Sequence, residues 1–155
     1  MLTNDLLSRE ERETVIEMRH AMHREPELSN QETKTQKRIL DALRQFGLEG
    51  AKTFHNTGVY IDIEGHAPGP TRSIALHGDI DALPIHESRD DLLYRSQTPG
   101  VLHACGHGMH ASIALGTALA FHRMRQSFSG RVRVIFQPAE EAEPLGGRSV
   151  AEEGL

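Results

Sequence analysis

The chain has 155 residues, the size of a single domain with length enough for a core. A 37% hydrophobic and 25% charged composition is that of an ordinary globular protein, and a net charge of -5 without a sustained basic run argues against a nucleic-acid or anionic-membrane partner. No apolar run approaches the ~20 residues a membrane span needs. The polar, acidic stretch from Met1 to Glu13 lacks the apolar centre of a signal peptide. A single cysteine excludes an internal disulfide, so a reducing cytoplasm is the expected setting.

Ser8-Arg9-Glu10-Glu11 reads as a capping box, and Val15, Ile16, Met18, Ala21 and Met22 give the apolar stripe of a helix that runs to about His23 before Pro26. Ser29-Asn30-Gln31-Glu32 reads as a second capping box. Ile39, Leu40, Leu43 and Phe46 form the apolar face of the helix after it, and Gly47 is its stop. The period then changes. Gly58 to Glu64 alternates as a strand does, and Gly65 to Thr71 is a turn-rich connector. Arg72 to Leu76 is a short strand that delivers His77 and Asp79 at its end. The irregular stretch from Ile85 to Leu102 is too long for a mere connection and is expected to be a functional loop.

His110 to Gln126, rich in Ala, Gly, Leu and Ile, suits a helix packed closely on a sheet. Arg131 to Phe136 is another strand, Glu143 to Gly147 a turn, and Ser149 opens a last helix. No repeat, low-complexity segment or inter-domain linker is visible. Helices interleaved with strands predict an α/β fold, with helices on both faces of a mixed sheet. Sites in such folds form beyond the carboxyl ends of strands, where His77, Asp79, Glu140 and Glu141 all fall.

Three clusters carry chemistry. His103-Ala104-Cys105-Gly106-His107-Gly108-Met109-His110 puts three histidines and the cysteine into eight residues. A glycine between Cys105 and His107 lets both reach one ion, and thiolate with imidazole suits a borderline metal such as zinc. At Glu140-Glu141 one carboxylate can bind metal while its neighbour takes a proton from water. In His77-Gly78-Asp79-Ile80-Asp81, residues two apart share a strand face, which makes His77 a candidate ligand and Asp79 a carboxylate that orients a ligating imidazole. A Cys105 nucleophile with His107 as base is the rival arrangement, and it leaves the paired acids unexplained. Ten histidines are many for this length; His20, His55, His66, His86 and His122 are expected to be surface scatter.

These clusters resemble the metal-dependent amidohydrolases of the aminoacylase/carboxypeptidase metallopeptidase type, in the branch of hippurate hydrolase and the auxin-conjugate (indoleacetyl-amino-acid) hydrolases. The resemblance rests on His23-Arg24-Glu25-Pro26-Glu27-Leu28-Ser29 with Glu32 and Thr33, on Thr57-Gly58-Val59, and on Asp79-Ile80-Asp81-Ala82-Leu83-Pro84-Ile85. It continues in His103-Ala104-Cys105-Gly106-His107 and Ile135-Phe136-Gln137-Pro138-Ala139-Glu140-Glu141. It implies a three-layer α/β/α sandwich, incomplete at the C-terminus, in which residues 1–155 are the N-terminal portion of a catalytic domain and the dimerisation domain is absent. Cys105 would bridge two divalent ions (zinc, manganese, cobalt or nickel), with His107 and Glu141 as further ligands and Glu140 as general base. The implied reaction is hydrolysis of an N-acyl amino acid or short peptide, and the implied partners are that small substrate and a second copy at an open sheet edge.

Two positions depart from the family pattern. Gly108 stands where the family usually has Asp, which predicts metal affinity weakened by ~10–100-fold. His77 stands where this branch has Arg and more distant relatives have a ligating His. The early terminus and Gly108 together favour the alternative of a non-catalytic, metal-binding remnant of the same fold.

Overall fold

A computed structural model describes residues 6–155. Helix α1 (Arg9–Arg24) begins at the expected capping box: Ser8 Oγ accepts the Glu11 N–H, and the Glu11 carboxylate accepts the Ser8 N–H. Its inward stripe includes Met18 and Met22, both buried.

Helix α2 (Thr33–Gln45) starts differently from the prediction. Ser29 is not its cap. Glu32 occupies the capping position without a side-chain cap bond, and the Glu27 carboxylate takes the free N–H groups of Lys34 and Thr35. Ser29 and Glu32 are drawn away by tertiary partners, Asp81 for the first and Thr57 with Ala139 for the second. At the other end Gly47 adopts φ +80°, the left-handed stop expected of it.

Four strands follow in one mixed sheet of order β1-β2-β4-β3: β1 (Lys52–Phe54), β2 (Gly58–His66), β3 (Ser73–Asp79) and β4 (Ser129–Gln137). Neighbours are antiparallel except β3 and β4, which run parallel. β1 is three residues long and carries no alternation of its own, so no local signal marks it. β2 extends through Gly65 and His66, because both pair with β4 at Gly130 and Ser129. β3 likewise continues to Asp79, which lies opposite Gln137, so His77, Gly78 and Asp79 are within the strand and not after it.

The register aligns Val59 with Phe136, Ile61 with Val134 and Ile63 with Val132, and all six belong to the buried core. That face receives α2 and α3 (His107–Met124), the latter contributing Ala111, Ala114, Leu115, Ala118 and Leu119, and α1 packs chiefly against α3. Its small residues allow close approach. A Cβ on Gly78 would stand 2.6 Å from the His110 carbonyl oxygen, so α3 runs directly across the end of β3. The helix begins three residues before the predicted start, because Gly106 at φ +96° turns the chain into it immediately after Cys105.

The opposite sheet face carries Tyr60, Asp62 and Arg133. Arg133 donates from Nε and Nη2 to the two Asp62 oxygens, both at 2.7 Å, and lies 4.9 Å over the Tyr60 ring. The architecture is thus α/β with a mixed sheet, and the described residues supply its principal helical layer on one face. Helix α4 (Gly146–Glu152) starts before the expected Ser149 and meets the end of β4 at Gln137. Ser149 instead bonds His55, whose ring also reaches Asn30 and the Pro144 carbonyl. His55 therefore joins three segments and is not scatter.

The segment from Ile85 to Leu102 is a loop, as expected. Its ends are pinned by the Leu83–Leu102 bridge, its middle by Glu87 on His23 at 2.9 Å and by Tyr94 stacked on His20 at 4.2 Å. His20 is thus another packed histidine.

Candidate metal centre

The parallel strands β3 and β4 end side by side, and the two chain segments that leave them carry the acids. Ile80 N–H still bonds the Gln137 carbonyl, so Asp79–Asp81 and Pro138–Glu141 depart together beneath the N-terminus of α3. Into this corner the structure brings Asp79, Cys105, His107, Glu140 and Glu141, five of the six residues expected to act. It adds Asp81, Glu32 and His110, whose places at the site are not evident from local sequence.

Asp81 organises the corner. It is fully buried and accepts from four donors: Ser29 Oγ at 2.7 Å, and His107 Nδ1, Glu140 N–H and Glu141 N–H at 2.9 Å each. Burial pushes its carboxyl up. The bonds from His107, the Glu141 N–H and Ser29 more than reverse this and hold it below the usual aspartate value.

Glu32, also fully buried, accepts from Thr57 Oγ1 at 2.7 Å and from the Ala139 N–H at 2.8 Å. Ala139 sits at φ +48°, a conformation that costs a non-glycine residue energy and persists only when its surroundings hold it. Three successive N–H groups, at 139, 140 and 141, are therefore gripped by two buried carboxylates. The turn that presents the paired acids is fixed from below.

With Nδ1 donating to Asp81, the His107 ring directs Nε2 into the corner. Around Nε2 stand Asp79 Oδ2, Glu140 Oε2 and Glu141 Oε1, each at 3.9 Å. Burial disfavours the imidazolium, but the bonds to Asp81 and Cys105 outweigh it and raise the His107 pKa to about 11. Oxygens so disposed around one nitrogen make a hollow that attracts a cation, and a metal ion competes there with a proton.

Two donor sets surround this hollow. Cys105, His107 and Glu141 form one, and Asp79, His107 and His110 the other; within each set the ligand atoms lie within 4.8 Å of one another. Thiolate, imidazole and carboxylate are the donors zinc and its neighbours take, and an imidazole whose second nitrogen is held by a carboxylate is the usual form of a ligating histidine. The residues present fit a divalent ion.

His77 stands apart from both sets. Its ring is more than half exposed, and its Nδ1 is 3.6 Å from Asp79 Oδ1, so it approaches the corner only through Asp79. His110, unassigned in the sequence, takes the nearer place, with Nδ1 at 3.1 Å from Asp79 Oδ2. A helix starting at His107 puts His110 one turn on, over the same strand end; had that start been legible, so would His110. His103 is buried, and neither of its nitrogens has a hydrogen-bond partner among the described residues. Burial and the neighbouring His107 cation lower its pKa to about 4, so it is neutral.

The corner lies at the carboxyl ends of the parallel strands, where sites form in α/β sheets, and its donor set is that of a metal centre. Residues 75–155 match the family described as peptidase family M20/M25/M40, and the chain belongs to that family. It is 68% identical over 154 residues to the uncharacterized hydrolase y4tI of Sinorhizobium fredii, which covers 99% of this chain and 38% of that protein. It is 42% identical over 140 residues to N-acetyl-L-cysteine deacetylase of Bacillus subtilis, covering 90% of this chain and 33% of that protein. Among solved structures it resembles the Bacillus subtilis YXEP protein, described as a dinuclear metal binding peptidase of the M20 family. There the TM-score is 0.85 at 39% identity, over 96% of this chain and 40% of that one. The chain thus spans between a third and two fifths of the length of these relatives.

Proposed function

We propose that this chain forms the metal-binding part of an amidohydrolase that cleaves the amide bond of N-acyl amino acids or short peptides. The observation that carries the reading is His107 Nε2 facing three carboxylates beside Cys105, with Nδ1 fixed by Asp81. Relatives named as deacetylases, carboxypeptidases and amidohydrolases support the amide as substrate.

Cys105, His107 and Glu141 would hold a divalent ion, and Asp79 with His110 would hold or orient a second. A bound ion supplies Lewis acidity, polarising the amide carbonyl and acidifying water. Glu140 is the general base. It is about half exposed, and its backbone N–H is held by Asp81, so its carboxylate is presented to the open side of the corner. It removes a proton from the attacking water as the C–O bond forms, and returns that proton to the amine nitrogen as the C–N bond breaks. With Nδ1 donating to Asp81, Nε2 is the His107 nitrogen that would exchange its proton for a bound ion. Zinc, manganese, cobalt and nickel all suit the donor set.

The second reading is a metal-binding chain without turnover. It is favoured by the sharing of His107 between the two donor sets, since with Nδ1 on Asp81 the ring has one nitrogen left for an ion. β3 pairs only with β4 among the described residues and leaves Ile74 62% exposed, which supports association of a second copy along that edge. No helix among the described residues is long and apolar enough to cross a membrane, and a lone free thiol suits a cytoplasmic setting.

Calorimetric titration with zinc or cobalt tests metal binding, with Cys105→Ser as control. Amine release from N-acetyl amino acids, measured on a chain extended to the relatives' full length, tests turnover. Binding lost in the Ser variant, with chelator-sensitive amine release, supports the first reading. Binding without amine release in the extended chain selects the second. No binding by a folded chain overturns both.

A further inference from the structure

We infer that a cavity between α1, α3 and the loop from Ile85 to Leu102 is a binding site for a small organic carboxylate with an apolar body. The cavity has a volume of about 350 Å³, within the range that small ligands fill. α1 lines it with Val15, Ile16, Arg19 and His20, the loop with Tyr94 and α3 with Met109. It is separate from the metal corner. Met109 and His107 are two positions apart on a helix, about 200° around its axis, so Met109 faces away from the side on which His107 meets Asp81.

Charge and exposure together say what the cavity takes. Arg19 and His20 both lie against the Tyr94 ring, the guanidinium carbon 4.5 Å from its centre and the imidazole stacked on it at 4.2 Å. None of these three side chains makes a hydrogen bond or ion pair with another described residue. Glu17, the nearest acid along α1, reaches Arg24 instead. The Arg19 guanidinium therefore carries an uncompensated charge at the cavity wall, and a carboxylate in the cavity compensates it. One cation fits a monoanion. The rest of that anion is set by Ile16 and Met109, which are 56% and 51% exposed at the same opening. Ile16 belongs to the apolar stripe of α1 by sequence, yet it is turned to this cavity and not to the core. Covering two large apolar side chains beside an unpaired guanidinium calls for a ligand that is apolar apart from its carboxylate.

The test is titration of the chain with benzoate, followed by the methyl resonances of Val15, Ile16 and Met109. Chelator is present throughout, so no ion in the metal corner can take the carboxylate and the outcome is independent of the proposed metal site. Benzoate should shift these methyls saturably with a Kd of about 1 mM. Its neutral isostere benzamide should bind at least about tenfold more weakly. Arg19→Gln removes the charge and should weaken benzoate by ~10–100-fold. Ile16→Glu puts a carboxylate one turn from Arg19 at an exposed position and should weaken benzoate by about tenfold; it decides the matter should Arg19→Gln fail to fold. Benzamide binding as tight as that of benzoate overturns the role of Arg19, and so does benzoate binding that the deciding variant leaves unchanged. Inorganic phosphate shifting the same resonances as tightly as benzoate overturns the apolar body of the ligand. Absence of saturation, or shifts confined to residues of the metal corner, overturns the site.

Discussion

Replacing Asp81 by Asn changes one atom and inverts the logic of the site. Asp81 Oδ2 accepts from Ser29 and the N–H groups of Glu140 and Glu141, while Oδ1 faces His107 Nδ1. An Asn side chain satisfies the three donors only with its carbonyl on the Oδ2 side, which puts its NH2 against His107 Nδ1. That nitrogen must then accept, and the ring proton moves to Nε2, where it blocks the lone pair needed for a metal. Four charge-assisted bonds also become neutral ones. At a loss of ~0.5–1 kcal/mol for each, roughly 2–4 kcal/mol of stability disappears. Metal affinity should fall by at least ~10–100-fold. Urea unfolding in chelator reads the first effect and calorimetric titration with zinc reads the second. A folded Asp81→Asn protein that binds zinc as tightly as the parent would refute the role assigned to Asp81.

Three further perturbations follow from the same geometry. Glu32→Gln keeps one acceptor for two donors and should cost about 1–3 kcal/mol in urea unfolding, with a smaller fall in zinc affinity than Asp81→Asn, because Glu32 grips only Ala139 of the acid-bearing turn. Gly78→Ala should destabilise by about 1–3 kcal/mol by the same measurement, since its Cβ meets the His110 carbonyl at 2.6 Å and α3 must shift; unchanged stability would mean that the helix does not cross the strand this closely. Asp62 titrates below the usual aspartate value, chiefly through its bonds from Arg133 and against the effect of burial. A lowered folded pKa gives stability that is complete above the unfolded value near ~3.9 and is lost as pH falls through the folded one. Asp62→Asn should therefore flatten the acid limb of the stability–pH curve and leave the slope near neutrality unchanged.

Much of this was legible in the sequence for identifiable reasons. The Ser8 box, the Gly47 stop and the alternation of Val59, Ile61 and Ile63 are local signals, and the structure honours each. The end of β3 and the start of α3 are not legible locally, because His77, Gly78, Asp79 and His107 look like loop residues until pairing with β4 and the turn at Gly106 are known. Ser29 and Glu32 failed as a capping box for a different reason. Their preferred partners, Asp81, Thr57 and Ala139, lie up to 107 positions away in the chain, and a local motif cannot reveal competition at that range. The site shows the same division. Cys105, His107, Glu140 and Glu141 stand out by type and spacing, whereas the importance of Asp81 lies in four bonds that only the fold brings together.

The central claim is that Cys105 and His107 bind the same ion. X-ray absorption at the metal edge of the zinc-loaded chain tests it most directly. The account predicts one sulfur scatterer at about 2.3 Å with nitrogen and oxygen near ~2.0–2.2 Å, the sulfur vanishing in Cys105→Ser. A zinc spectrum with nitrogen and oxygen neighbours alone in the unsubstituted protein would contradict it.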